Sequence, residues 1–497
     1  AISDTYFGSK YQQLSILNDI CAKGISMGYN NIFHCGNISA GIYPITNIYA
    51  DTYFLDDSLR QIDYITKYYP EIEGMKTYFI TGARDERHLK ANKINIGKRI
   101  SDIRQDMIYL GSNSCIINID KTKVLLFNSK LNKTYTVSYR PQQQVDSFRS
   151  EDKPNIMLYG GLLQMEKFKY REVDCISVPS VCATTKEMLD RRYSNTIGAW
   201  YITIRTDNKG YLESVKAMES VYYVTNKDDY KKPIINNTKI DINSDELTHT
   251  EIGVVSDTHF GNIHQQLHLV NYFYEEAYNR GITTMLHCGD IVDGNYPNRP
   301  EQPRQQFLHS FDEQASYVVD MYPKVKDITT YYILGSHDET HYKNGGATVN
   351  EWVSRCRDDM IYLGQDTAVT NINGIKFVMD HPGGGSSQSL SYKPQKRIEI
   401  LESGHKPKVL LIGHYHKSYF FVYRNVRCIE VPSLCSKTQF QQKQGLSNIV
   451  GGYFLDIYSD SKGNIVYFEP EEILFEQKDF WDECGKDSKK VKKLVIK

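Results

Sequence analysis

The sequence predicts an α/β protein built from two tandem copies of one domain, each carrying a second sheet. Three observations lead there: a long internal repeat, an alternation of apolar strand-like runs with amphipathic helices, and a composition suited to a globular fold, 40% hydrophobic and 24% charged. Ser3-Asp4-Thr5-Tyr6-Phe7-Gly8 recurs as Ser256-Asp257-Thr258-His259-Phe260-Gly261, and His34-Cys35-Gly36-Asn37-Ile38 recurs as His287-Cys288-Gly289-Asp290-Ile291. The offset is 253 residues in both cases, and it also pairs residues 106–111 with 359–364, 138–142 with 391–395 and 178–180 with 431–433. Residues 1–224 are therefore one copy and 250–497 the other, and the polar stretch 225–249 reads as the connector.

In the second copy, residues 252–255 form an apolar run ending in a polar turn. Residues 264–280 place Leu267, Val270, Phe273 and Ala277 at helical spacing ahead of Gly281, a helix stop. A strand at 283–288, a helix at 304–321, a strand at 330–334 and a helix at 349–357 continue the alternation. Strands at 376–380, 409–412, 419–423 and 450–457 then predict the second sheet. Each polar motif follows an apolar run, where open α/β sheets place their ligands.

Five such motifs occur in order: Asp257-Thr258-His259; Gly289-Asp290-Ile291-Val292-Asp293; Gly335-Ser336-His337-Asp338; His381; and Gly413-His414-Tyr415-His416. Imidazole and carboxylate suit Zn, Fe and Mn ions, and strand-end loops gather ligands that are distant in sequence. One histidine alone reads as a satisfied core or surface residue. Five motifs in register read as a centre for two metals, which can clamp both oxygens of a phosphoryl transfer.

These residues resemble the calcineurin-like metallophosphoesterase superfamily, whose motifs run in the same order. The resemblance implies a β-sandwich flanked by helices in each copy. It implies that Asp257, His259 and His416 hold one metal, that His381 and His414 hold the second, and that Asp290 bridges them, with Asp293 supporting from behind. His337, oriented by Asp338, would donate a proton to the leaving oxygen or stabilise the pentavalent phosphorus. Ser336 stands where the family places a ligating Asn, so the second metal is expected to bind weakly and activity to need high Mn²⁺; Zn²⁺ and Fe²⁺ are alternatives. The implied activity is hydrolysis by a metal-bridging hydroxide.

The first copy is an internal control. At the same offset His259 becomes Tyr6, Asp290 becomes Asn37, Asp293 becomes Ala40, Ser336 becomes Ala83, and His337 becomes Arg84. His381 becomes Asn128, and His414 and His416 become Gly161 and Leu163. Only Asp257 keeps its counterpart, Asp4, so this copy is expected to bind no dinuclear centre and to serve as a scaffold packed against its twin. Histidine usage agrees, since 12 of the 14 lie at or after His249.

Asp338 resembles the Gly-x-His-Asp form of the superfamily's repair-exonuclease branch, where protein phosphatases carry Glu, and that resemblance implies a phosphodiester substrate, DNA or RNA. A nucleotide or protein phosphomonoesterase is the alternative, and a non-enzymatic structural chain, in a viral or homo-oligomeric assembly, is a third reading. A net charge of −1 gives no overall field for steering a polyanion, so any nucleic-acid contact falls to local patches. Candidates are Lys393, Lys396, Arg397, Arg299, Arg304 and the lysine-rich residues 486–497, each of which reads equally as a solvated face. The glycine-rich run 381–387 predicts a mobile loop beside the metals, while the corresponding run 128–135 has no glycine. His264, His268, His309 and His405 read as ordinary surface or helix residues, and His341, matched by His88, as structural. Ten cysteines without a Cys-x-x-Cys pair suggest reduced thiols and a cytoplasmic setting, with no membrane span or signal peptide. The opening at Ala1 without a lead-in suggests trimming or a longer parent, and the Tyr-, Asn-, Ile- and Lys-rich composition hints at a phage source.

Overall fold

The computed structural model describes all residues except 44–48, 50–51, 130–135, 192, 194, 225–228, 232–246, 300, 386, 402–405, 477–492 and 497. The chain divides into two compact units, Ala1–Asp245 with Phe421–Arg424 and Glu246–Phe420 with Asn425–Lys497.

In the second unit, the strand Thr248–Val255 pairs in parallel with Thr284–His287 and antiparallel with Val450–Ser459. Thr284–His287 continues in parallel to Thr329–Ile333, and that strand to Met360–Gly364. A second sheet joins Thr367–Ile372, Ile375–Asp380, Val409–Ile412 and Val426–Glu430, parallel except for its first hairpin. The parallel strands are short and apolar on both faces, as buried parallel sheets require. Five strands, three in the first sheet and two in the second, end just before a motif, so the motifs sit at strand C-terminal ends in both sheets.

Helices cover the sheet through apolar stripes. Leu267–Arg280 buries Leu267, Val270, Phe273, Tyr274 and Ala277, and ends at Gly281, whose φ of 75° closes the last turn. Phe311–Met321 buries Ala315 and Val318, and opens on a capping box in which Ser310 and Glu313 satisfy each other's backbone amides. These side chains form one core with Phe260, Met285 and Val450. Each fully buried large apolar side chain contributes about 1.5–3 kcal/mol.

Three boundaries differ from the sequence expectation. The helix predicted at 304–321 splits into a 3-10 turn, Gln302–Gln305, and the helix proper from Phe311, where Ser310 caps a new start. The helix predicted from His264 begins at Leu267, because Asn262 Oδ1 accepts from His264 N in a local turn at 2.8 Å. Thr248 and His249, assigned to the connector, are strand residues paired with Ser459 and Tyr458.

The first unit follows the same order of elements, each 253 residues earlier. Helix Ser58–Tyr68 matches Phe311–Met321, strand Lys76–Thr81 matches Thr329–Ile333, helix Ile96–Ile103 matches Val349–Cys356, and strand Ile156–Gly160 matches Val409–Ile412. Asn31–His34, Lys76–Thr81 and Met107–Ser112 form a parallel sheet. Ile197–Thr206 and Leu212–Tyr222 form a hairpin.

Candidate metal centre

Asp257, His259, Asp290, His414 and His416 all take left-handed backbone, with φ of 52°, 45°, 55°, 77° and 52°. For residues with a Cβ this costs of order 1–3 kcal/mol each, and such strain concentrates where side chains must be aimed. Glycines let the loops close in. A Cβ on Gly335 would lie 2.2 Å from Asp290 N, and one on Gly413 would lie 2.4 Å from Cys288 O.

The result is two donor clusters. Donor atoms of Asp257, His259 and His416 lie within 4.8 Å of one another, as do those of Asp290, His381 and His414. A third group, His259, Asp290 and His337, spans the two. His416 Nε2 lies 3.1 Å from Asp257 Oδ1 and 3.4 Å from His259 Nε2, while His381 Nε2 lies 3.0 Å from Asp290 Oδ2.

The far sides of these rings are anchored. His381 Nδ1 donates to Cys288 O at 2.7 Å, leaving Nε2 aimed at Asp290. His416 Nδ1 meets Asn448 Oδ1 at 2.6 Å, and Gln441 Nε2 lies 2.8 Å from the same nitrogen. His414 N donates to Asp257 Oδ2 at 3.1 Å, and its Nε2 reaches Gly384 O at 2.7 Å, which ties the glycine loop to the cluster. Asp293 lies behind His259, 3.4 Å from its Nδ1, and accepts from Asn262, Gln302 and Gln306 at 3.0, 3.1 and 2.6 Å.

Charge balance shows what this arrangement fits. Burial opposes a charge on His381, yet Asp290 and Asp257 outweigh it and push its pKa up to about 10. Burial also opposes charge on His259, where Asp293, Asp290 and Asp257 again prevail and raise the pKa. Burial works against ionised Asp257 and Asp290 too, but the surrounding imidazoles hold both below the usual carboxylate range. Such a buried cluster of carboxylates demands positive charge, from protons or from cations. His381 Nε2 is buried and faces the Asp290 carboxylate at 3.0 Å, the direction a ligand nitrogen takes toward a cation shared with that carboxylate. Nitrogen and oxygen donors in these numbers fit divalent zinc, iron or manganese.

Ser336 Oγ lies 3.4 Å from Asp290 Oδ2, directed at the carboxylate. His337 N donates to Asp290 Oδ1 at 2.7 Å, and its Nδ1 donates to Asp293 O at 2.7 Å, which turns the ring to the wall of the cavity. Burial lowers its pKa to about 4. That cavity, of about 580 Å³, is lined by His259, His414 and His416 on one side and by Tyr296, Arg299 and Phe440 on another.

One expected role is corrected. Asp338 does not orient His337. Its carboxylate is fully buried and accepts from Val292 N and Gly335 N, both at 2.9 Å, so it ties two loops together. Asp85 makes the corresponding bonds in the first unit, from Ile38 N at 3.1 Å and Gly82 N at 2.9 Å, beside an arginine in place of the histidine. The role is therefore structural.

Other candidates divide. Arg397 pairs with Asp380, its Nε donating to Oδ2 at 2.6 Å, and Lys396 pairs with Glu399 at 2.8 Å. Lys393 Nζ comes to 4.0 Å of a Cβ position on Gly384. Arg299 stacks over Tyr296 at 3.9 Å and Phe440 at 4.7 Å, whereas Arg304 is exposed. His264 and His341 are buried rather than superficial, and His341 bonds Gln314 at 3.0 Å. His268 and His309 are exposed. His405, most of the connector, the loop 130–135 and most of the basic tail lie outside the described residues.

The sequence reading missed Gln302, Gln306, Gln441 and Asn448. A signal existed for three of them. Gln302, Gln306 and Gln441 correspond to Tyr49, Tyr53 and Met188 in the first copy, so these amides disappear together with Asp293 and His416.

In the first unit the loop backbone persists without the ligands. Asp4, Tyr6, Asn37 and Leu163 keep φ of 54°, 48°, 57° and 62°. Asn37 Nδ2 donates to Asp4 Oδ1 at 2.7 Å, so an amide hydrogen replaces the demand for a cation. The Arg84 guanidinium lies 4.3 Å from the Tyr6 ring centroid and pairs with Glu187 at 2.9 Å. Among the described residues of this unit no metal-type donor cluster occurs.

No helix among the described residues is long and apolar enough to cross a membrane, and nine cysteines there are free thiols.

A family model described as a calcineurin-like phosphoesterase superfamily domain matches residues 251–449. No curated protein matches the chain. Among solved structures, a novel archaeal phosphodiesterase shares 19% identity over 46% of this chain and 100% of its own, with a TM-score of 0.28. Vps29 from Entamoeba histolytica complexed with zinc shares 12% over 46% and 100%, with a TM-score of 0.23. A dimetal phosphatase from Danio rerio shares 9% over 46% and 99%, with a TM-score of 0.28.

Proposed function

We propose, from the match of residues 251–449 to the calcineurin-like phosphoesterase superfamily, that the chain is a phosphodiesterase acting on DNA or RNA. The observation that carries the reading is the pair of donor clusters sharing one buried wall with His337. Two divalent cations held there, Mn²⁺ by preference, would supply an activated water at neutral pH and positive charge for the phosphoryl oxygens. Asp257, His259 and His416 would hold one ion, His381 and His414 the other, and Asp290 both.

The protein's own groups do the rest. The bond from His337 Nδ1 to Asp293 O fixes the ring and leaves Nε2 for the substrate. An arriving phosphate anion offsets the burial that keeps this imidazole neutral, so that Nε2 gains a proton it can pass to the leaving oxygen. Tyr296, Arg299 and Phe440 offer a stacked aromatic and cationic wall, which suits an unstacked base. The N-terminal unit serves as a non-catalytic scaffold, because Asn37 and Arg84 occupy the positions of ligand and acid.

A second reading rests on cavity size. About 580 Å³ falls in the range of small-molecule sites, which suits a nucleotide monoester. Incubation with Mn²⁺ and single-stranded DNA, duplex DNA, an aryl phosphodiester and an aryl phosphomonoester, beside an Asp290→Asn control, separates the readings. Diester cleavage lost in the control supports the proposal. Turnover of the monoester alone replaces it, and no turnover above the control removes the enzyme.

A further inference from the structure

Among the described residues, the cavity beside the two donor clusters is lined by one arginine, Arg299, and by no lysine. The Arg299 guanidinium lies over the Tyr296 ring at 3.9 Å and over the Phe440 ring at 4.7 Å. Aromatic surface thus takes up its faces, and what remains for a ligand is its edge, a planar fork of N–H donors. No carboxylate among the described residues pairs with that fork, Glu301 included, although Glu301 also lines the cavity.

The rings are fixed from both sides. Tyr296 N donates to Gln302 Oε1 at 2.8 Å, Arg299 N to Tyr296 O at 3.0 Å and Gln302 N to Arg299 O at 3.0 Å, so the loop after Asp293 closes into a turn. Gln302 Nε2 ties this turn to Asp293 at 3.1 Å, and Tyr296 OH donates to Ser336 O at 3.2 Å. Phe440 stands in the helix Gln439–Lys443, whose first amide donates to Gln305 Oε1 at 2.9 Å, and Gln441 of the same helix reaches His416. A ligand therefore meets a cation whose setting needs little further ordering.

The first unit supplies the contrast. Tyr296 corresponds to Tyr43, His337 to Arg84 and Phe440 to Glu187. There Arg84 donates to Glu187 at 2.9 Å, to Tyr53 OH at 3.0 Å and to Tyr43 OH, so cation and carboxylate cancel. In the second unit an aromatic ring stands where that carboxylate would be, and the arginine keeps its charge for something else.

Tyr296 also separates Arg299 from the acid. Its ring meets the His337 ring at a steep angle, centroids 4.8 Å apart, so a leaving oxygen at His337 Nε2 has Arg299 one ring beyond it. We infer that Arg299 seats a second phosphate, the one next to the scissile phosphate on the leaving side, so that the preferred leaving group is a nucleotide rather than a bare alcohol. The inference rests on the diesterase reading above. A guanidinium edge matches two phosphate oxygens at once, and the flanking rings suit the base that the phosphate brings with it.

Three thymidine dinucleotides test this: TpT, with one diester and no other phosphate, and pTpT and TpTp, which add a phosphate at the 5′ or the 3′ end. Calorimetric binding uses the Mn²⁺-loaded His337→Ala protein, in which turnover is slow, and steady-state kinetics use the unaltered chain. One of the two phosphorylated dinucleotides should bind at least about tenfold tighter than TpT and show the lower KM. Adding Arg299→Gln should bring its Kd to within about twofold of TpT and lower the salt slope by about 1. Phe440→Glu, which restores the carboxylate of the first unit, should do the same with the arginine still present. Equal binding of all three dinucleotides, an equal gain from either terminal phosphate, or a preference that survives Arg299→Gln overturns the seat. Turnover without preference removes the seat and keeps the diesterase, whereas preference in binding without turnover keeps the seat and removes the enzyme.

Discussion

Ser336 is the residue on which the chemistry turns most sharply. Its hydroxyl lies 3.4 Å from Asp290 Oδ2 and offers no amide oxygen to a cation held beside that carboxylate. Ser336→Asn is expected to lower the Mn²⁺ concentration for half-maximal activity by about tenfold, read by metal titration of turnover. His337 sits differently: it touches the cavity but belongs to neither ligand cluster as assigned. His337→Ala should cost about 10²-fold or more in kcat while leaving the bound-metal count unchanged by elemental analysis. Sequence made both positions visible because each stands in a motif. It misled at the next position, Asp338, since a carboxylate after a histidine reads alike whether it orients a ring or ties loops. The first copy held the answer: Asp85 survives where the histidine has become Arg84, as expected of a residue that serves the backbone.

At the level of elements, that tie joins the loop after Thr284–His287 to the loop after Thr329–Ile333. Losing it strands buried amides, so Asp338→Ala and Asp85→Ala should each destabilise their own unit by about 1–3 kcal/mol in denaturant unfolding. Strand Val426–Glu430 carries a second buried carboxyl. Burial raises the pKa of Glu430 from 4.5 to about 8, against the pull of Lys417. The sign follows from proton binding: the folded protein holds this proton where the unfolded chain releases it. The contribution is whole below about 4.5 and is lost as pH rises through 8. Unfolding midpoints measured from pH 5 to 9 should fall, and Glu430→Gln should flatten the slope. Strand positions were legible because apolar runs and glycine stops mark them. The start of the helix at Phe311 was not, because Pro303 and Ser310 compete for the same apparent beginning, and only tertiary contacts such as Phe307 N to Gly261 O decide between them.

For the molecule as a whole, the expected count is two divalent ions per chain rather than four, measured by elemental analysis after gel filtration, and Asp290→Asn should reduce it. The repeat made this asymmetry readable, since the offset aligns each ligand with its replacement. What the offset did not reveal is that the replacements satisfy one another, Asn37 bonding Asp4 and Arg84 meeting Glu187. Those pairings depend on side-chain reach, which residue identity alone does not give.

Tyr6 and Leu163 still bend the main chain as their metal-facing counterparts do, although neither can hold an ion. The same loop geometry is thus present in both units. An engineer wishing to rebuild a working pair of ion seats in the N-terminal half would inherit the mould ready-made, and would need to change only what it grips.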